Sequence, residues 1–295
     1  MVACVRLTMN SSRVIAFVAI ALLSACGSHP GSPTTPSVPP PVPQPAPAPT
    51  YQVLNGYSYD TAFRPISGAT INLVDGTQAG ASTISDATGR FSFAGTFQAS
   101  TTVRVTKEGY TPATATAKSN GGSTGMVWAF VVLDALARPV DMIGDYTLTI
   151  VAWCTGIPED VRTRTYAASI RNAVDSQTQP GTRLTLAVEG GTFVPDHRGF
   201  AVGVSGNDVA FNIYNGEDFG LVEKVGAGTF LAISGSTNVS IATGGSTKIS
   251  TSFSGAIDYC ALQGDTAWTD QCNSGPRTAF EHCESTDHQL VLSRR

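Results

Sequence analysis

The sequence predicts an all-β protein, and three observations carry that reading. Apolar and polar residues alternate at a period of two in many short runs, the mark of half-buried strands. No stretch keeps a 3.6-residue period over twelve or more positions, so no long helix is expected. Turn-forming Gly, Asn, Asp and Pro punctuate the runs every 10–15 residues in the second half. The 295 residues allow about two domains. Charged residues make up 14 % and hydrophobic ones 42 %, enough apolar mass for packed cores. With 18 basic against 22 acidic residues, the chain lacks the clustered positive charge that non-specific nucleic-acid binding needs, and nucleic acid is not an expected partner.

Residues 1–25 read as a signal peptide. The apolar run of residues 14–25 follows Arg13 and ends in small residues. It is shorter than the roughly 20 residues that span a bilayer. The segment Leu23-Ser24-Ala25-Cys26-Gly27 resembles the lipobox of bacterial lipoproteins. The resemblance implies cleavage before Cys26 and lipidation of its thiol. Several acyl chains bury enough CH2 groups for stable anchoring, at about 0.8 kcal/mol each. Gly27 after the cysteine is compatible with outer-membrane delivery. The expected location is therefore the bacterial cell envelope, with the leaflet and face left open.

Residues 26–50 continue as a stalk. Ten of the seventeen prolines fall in residues 30–50, without a charge among them. Such a stretch favours polyproline II, about 60 Å if fully extended at about 3.1 Å per residue.

Residues 51–139 alternate as a small β-sandwich. Ala69, Ile71 and Leu73 share one face, Phe91 flanks Ser92 with Phe93, and Val103 flanks Arg104 with Val105. Ser85-Asp86-Ala87-Thr88-Gly89 is a turn, with aspartate closing an Asx turn and glycine supplying positive φ. The series Gly56, Pro65-Ile66-Ser67-Gly68-Ala69-x-Ile71, Ser85-Asp86-x-x-Gly89-Arg90-Phe91-Ser92-Phe93 and Lys107-Glu108-Gly109-Tyr110 resembles the carboxypeptidase regulatory-like domain. That resemblance implies a transthyretin-like (prealbumin-type) sandwich. It implies a spacer, a fold-supporting unit or an occasional carbohydrate-binding-like domain, with no catalytic residue to carry over.

Residues 140–295 read as a longer antiparallel β-meander of eight to nine strands, opening at Gly144-Asp145-Tyr146. Closing into a lipocalin-like up-and-down barrel removes the sheet edges; a second β-sandwich is the alternative. Eight strands leave an interior that side chains fill or that holds one small ligand. Cys154, Cys260, Cys272 and Cys283 form an even set in an exported domain and suggest two disulfides. Three pairings are open; Cys260–Cys272 with Cys154–Cys283 is favoured, because the first and last strands of a closed meander are neighbours.

Candidate chemistry is sparse. Glu281-His282-Cys283-Glu284-x-x-Asp287-His288 does not match zinc spacing and is expected to be a polar loop entering the last strand. Asp196-His197 is expected in a turn after Pro195. No Gly-x-Ser-x-Gly elbow or HExxH motif is present, so no catalytic residue, metal or cofactor is expected. Arg162, Arg164 and Tyr166 fall on one strand face and are candidates for an anion or sugar-acid site. Trp153, Tyr259 and Trp268 are candidates for a sugar-stacking platform at one end of the meander. The leading expectation is a non-enzymatic binding or adhesion module for carbohydrate or a small apolar ligand, with the meander as the working part. The alternatives are a secreted hydrolase without a recognised motif and a purely structural envelope protein. Oligomeric state is not encoded legibly.

Overall fold

The computed structural model describes residues 48–119, 125–174, 181–190, 192–215, 218–242, 246–262, 268 and 277–295. The leader, Cys26 and nearly all of the stalk lie outside them. No helix among the described residues is long and apolar enough to cross a membrane.

Seven strands build the first domain: β1 (Tyr51–Asp60), β2 (Thr70–Leu73), β3 (Ser82–Ile84), β4 (Arg90–Phe97), β5 (Thr102–Thr106), β6 (Ala113–Thr116) and β7 (Met126–Leu133). They form two sheets, ordered β4-β1-β7 and β3-β2-β5-β6. The alternation read in the sequence is realised. Ala69, Ile71, Leu73, Phe91, Phe93, Val103 and Val105 point inward with Leu54, Val127, Val131 and Leu133. Burying these side chains drives the two sheets together. The Asp86 turn forms as expected: its Oδ1 accepts the N–H groups of Thr88 and Arg90, and Gly89 sits at φ +74°. β1 and β7 run parallel, with Val53 beside Met126 through Asp60 beside Leu133.

Ten strands follow: β8 (Gly144–Val151), then, after the single helical turn α1 (Glu159–Arg162), β9 (Thr163–Asn172), β10 (Arg183–Glu189), β11 (Phe193–Ser205), β12 (Asp208–Asn215), β13 (Asp218–Phe219), β14 (Leu221–Gly226), β15 (Thr229–Ser240), β16 (Lys248–Leu262) and β17 (Arg277–Arg294). Eight of them close a barrel in the order β8-β9-β10-β11-β12-β15-β16-β17, with β17 pairing back onto β8. This is the up-and-down barrel, not the second sandwich. The extra pair is an insertion. β12 covers only the C-terminal halves of β11 and β15, and β14 pairs with their N-terminal halves. Side chains fill the barrel, among them Leu148, Ile150, Ile170, Leu186, Val202, Phe211, Phe253 and Leu290. A second cluster of Val222, Phe230, Ala232, Cys260 and Leu262 lies on the opposite face of the extended sheet.

Two expected loops are strand. Asp196 and His197 lie inside β11, where Asp196 takes φ +68° and the register shifts between Phe193 and Arg198. Residues 281–288 lie inside β17, not in a loop before it. There Phe253 faces His288 while Gly255 faces Ser285, so β17 carries one extra residue. That bulge reverses the inward phase between Cys283 and His288 and hides the alternation.

The two domains meet at a built joint. Asp60 is fully buried, and its Oδ1 accepts the N–H groups of Ala62 and Arg64 at 2.9 Å. The Arg64 guanidinium donates to Asp60 and reaches across to Asp208 on β12. Thr61 Oγ1 donates to the Val204 carbonyl, and the Arg183 guanidinium lies 4.4 Å from the Phe63 ring centre. Gly203 makes this approach possible: a Cβ there would lie 2.2 Å from the Thr61 carbonyl oxygen.

Candidate functional site

The structure disperses the barrel residues that the sequence singled out. Arg162 is not on a strand face with Arg164 and Tyr166. It ends α1, where its guanidinium donates to the carbonyls of Thr155 and Ile157. Arg164 and Tyr166 do share a face of β9, but both are held by Glu223 of β14. Arg164 Nε and the Tyr166 hydroxyl each donate to Glu223 Oε2 at 2.8 Å. The hydrogen bond to Glu223 raises the Arg164 pKa, and burial, reinforced by the Glu223 charge, pushes the Tyr166 phenol up. The protein's own carboxylate thus sits where an external anion would have to bind.

The three barrel aromatics do not form one platform. Tyr259 packs on the barrel interior, whereas Trp268 packs on the opposite face of that sheet, with its ring centre 5.5 Å from Phe230 and 6.3 Å from Phe219. Trp153 follows β8, is 63 % exposed, and has no ring partner among the described residues. Its backbone N–H donates to Nδ1 of the buried His288 at 3.1 Å.

Cys154 and Cys283 are disulfide-bonded, tying the segment after the first barrel strand to the last strand. Cys260 is also disulfide-bonded; Cys272 and Cys26 lie outside the described residues. His282 Nδ1 lies 2.7 Å from Asp258 Oδ1, and burial raises the Asp258 pKa against the opposing pull of that bond. Neither His282 nor His288 bonds a serine or threonine hydroxyl or a free thiol among the described residues. No group of three or more His, Cys, Asp or Glu side chains there is placed to hold a metal.

A different surface is assembled in the first domain. Inward positions of β1 and β7 are taken by Leu54, Val127, Ala129, Val131 and Leu133, so the alternate positions face out. They place Tyr57 and Tyr59 of β1 beside Trp128 and Phe130 of β7. Tyr57 stacks with Tyr59 at 5.8 Å and 16°, with Trp128 at 6.0 Å and 7°, and with Phe130 at 5.9 Å and 14°. Trp128 and Phe130 are 6.4 Å apart at 16°. Phe130 is 60 % exposed. Arg90, Ser92, Ala94 and Thr96 of β4 continue the same outer face with exposed side chains.

Beside this face a groove of about 890 Å3 runs between β6 and β7. Its walls include Thr114, Thr116, Trp128, Phe130 and Val132, with Lys118 and Asp134 at the ends. The sequence reading missed this region. The available signal was two i, i+2 aromatic pairs, Tyr57-Ser58-Tyr59 and Trp128-Ala129-Phe130, in the phase opposite to the core.

Comparison with known proteins bears on the first domain. Three chains among the solved structures match. One is a crystal structure of a Bacteroides fragilis NCTC 9343 protein of unknown function, described as a candidate membrane-associated protein. It is 12 % identical, with 84 % of this chain and 99 % of that chain covered at a TM-score of 0.24. No curated protein matches the chain significantly. Residues 53–128 match the family model of the carboxypeptidase regulatory-like domain, which makes this segment a domain of that family.

Proposed function

We propose that this protein is a non-enzymatic carbohydrate-binding module of the bacterial envelope. Its contact surface is the outer face of the first sandwich. The observation that carries the reading is the set of four rings, Tyr59, Tyr57, Trp128 and Phe130, held within 16° of parallel between stacked partners on an open sheet. A flat aromatic surface offers apolar area at little conformational cost, and the tyrosine hydroxyls add polar edges. The C–H face of a pyranose ring matches such a surface, and its hydroxyls remain free to bond at the rim. A net charge of −4 disfavours the stacked bases of a nucleic acid as the occupant.

This reading moves the working surface from the barrel to the sandwich. The barrel interior is occupied by its own side chains, and its arginine–tyrosine cluster is held by Glu223. In this view the barrel is a stable mount, Cys26 carries the lipid, and the proline-rich stalk sets the distance from the membrane. The outer membrane is the proposed location.

The test is a glycan-array and calorimetric screen of the full-length protein beside a Trp128→Ala/Phe130→Ala variant. Binding is expected in the wild type and should fall at least about tenfold in the variant, or about 1.4 kcal/mol. Melting temperature should change little, because both rings face outward. Equal binding by the two proteins would overturn the assignment. Detergent partitioning of Cys26→Ser tests the anchor, and retention in the membrane fraction would overturn it.

A further inference from the structure

We infer that the groove between β6 and β7 is a subsite for a neutral, linear oligosaccharide, one that selects a chain over a single sugar. The inference rests on the carbohydrate reading above and adds a second, independent observation: an interrupted strand ladder.

Trp128 and Lys118 exchange both backbone hydrogen bonds, at 2.8 and 2.9 Å. In an antiparallel ladder the next such pairs fall two residues along each strand. Phe130 should therefore pair with Thr116, and Val132 with Thr114. Neither pair forms a hydrogen bond. Pairing resumes only where Thr111 N–H donates to the Asp134 carbonyl at 2.8 Å and Leu136 N–H to that of Gly109. The two edges are pinned at both ends and parted between the pins.

The other sides of these strands are satisfied. Ala117 N–H donates to Thr101 on the β5 side, so by alternation Ala113 and Ala115 also pair with β5. The N–H and C=O groups of Thr114, Thr116, Phe130 and Val132 are thereby directed at the gap. The Thr114 and Thr116 hydroxyls, on exposed side chains of β6, have no hydrogen-bond partner among the described residues.

These groups match a sugar chain. Free donors and acceptors in alternation meet ring hydroxyls, which both donate and accept, while Trp128 and Phe130 supply the apolar wall. Six residues of strand separate the pins, about 20 Å at about 3.3 Å per residue, longer than one sugar ring. The volume of about 890 Å3 lies within the roughly 300–1,000 Å3 of small-molecule sites. The lining carries one cation, Lys118, and one anion, Asp134, at opposite ends, so its centre favours an uncharged ligand. A peptide strand lying in the sheet plane would have to pass both hydrogen-bonded pins. A sugar chain can enter from the open side.

The experiment titrates the full-length protein with size-graded sets of neutral glucose, xylose and mannose oligosaccharides of one to six units. An extended Thr/Val-rich hexapeptide serves as competitor. Three proteins are compared: wild type, Thr114→Val/Thr116→Val, and Trp128→Ala. Wild-type affinity should rise at least about fivefold from the disaccharide to the hexasaccharide. The double valine variant, nearly isosteric and on an exposed strand edge, should keep its melting temperature and disaccharide affinity but lose that gain. Trp128→Ala should weaken every length. Sugar binding with no gain in affinity with length, or an undiminished gain in the valine variant, would overturn the subsite and leave the aromatic platform standing. Displacement by the peptide would also overturn the subsite. No binding of any sugar would overturn the platform, and the subsite with it.

Discussion

The sandwich and the barrel follow the same inward rule and opposite outward ones. Both bury Val, Ile, Leu and Phe on the inward face of most strands. On the sandwich, the exposed phase of β1 and β7 is aromatic. On β8, β9 and β16 of the barrel it is largely threonine, serine and alanine, with Thr149 bonding Thr165 across two strands at 3.1 Å. An outer face of small hydroxyl residues is satisfied by water and by its neighbours. A row of large rings, three half-buried and Phe130 exposed, forgoes part of the hydrophobic gain that full burial would bring. The outer face of the sandwich departs from that solvated norm, which supports the proposed division into a contact surface and a barrel mount.

That division of labour can be broken by damaging the barrel alone. Phe211 is fully buried there, and Phe211→Ala should cost about 3–5 kcal/mol of stability. Replacing Cys154 and Cys283 together by alanine should cost about 2–4 kcal/mol through the freed unfolded chain. Denaturant unfolding checks both values. At temperatures where the variants remain folded, sugar binding should match wild type. A parallel loss of binding would mean that the barrel contributes to the site, and the contrast between the domains would fail.

A smaller perturbation sharpens the comparison at the joint. In Gly203→Ala the new methyl meets the Thr61 carbonyl at 2.2 Å, with the Phe63 ring at 2.8 Å. The loop must move, at about 1–3 kcal/mol. Domains that melt together in the wild type should then melt in two resolved calorimetric steps. A single transition at a slightly lower temperature would show that the joint yields without uncoupling them.

Much of this architecture was legible because its burial is one-sided. Tyr146, Leu148 and Ile150, or Val103 and Val105, announce strands by alternation, and all are buried. What escaped had a physical reason in each case. β14 is buried on both faces at Leu221, Val222 and Glu223, which erases the period. β17 carries a bulge, and β11 a positive-φ aspartate, so each changes phase in mid-strand. The aromatic face escaped for another reason: it exists only because β1 pairs in parallel with β7, setting Tyr57 beside Phe130. Neither segment encodes that partnership locally. The candidates chosen instead, Trp153, Tyr259 and Trp268, are near in sequence to strand ends but lie on different surfaces.

The smallest expected effect is a pH dependence confined to the barrel. Burial lowers the His288 pKa below 6.5, against the weaker opposing pull of its carbonyl contacts and of Asp287. Its Nδ1 accepts the Trp153 N–H at 3.1 Å, and Nε2 lies 3.2 Å from the Cys283 carbonyl, an arrangement that requires the neutral ring. The unfolded chain therefore binds a proton at higher pH than the folded one. The contribution is complete above pH 6.5 and is lost as pH falls from there towards the lower folded value, by no more than about 1.4 kcal/mol per pH unit. Asp258 acts in the opposite sense: its raised pKa favours the folded state as pH falls towards 3.8. Unfolding free energies of wild type and His288→Gln between pH 8 and pH 5 isolate the histidine, and the wild type should lose the more stability across that range. Identical slopes would mean that His288 is protonated in the folded barrel, and that Trp153 N–H is bonded elsewhere.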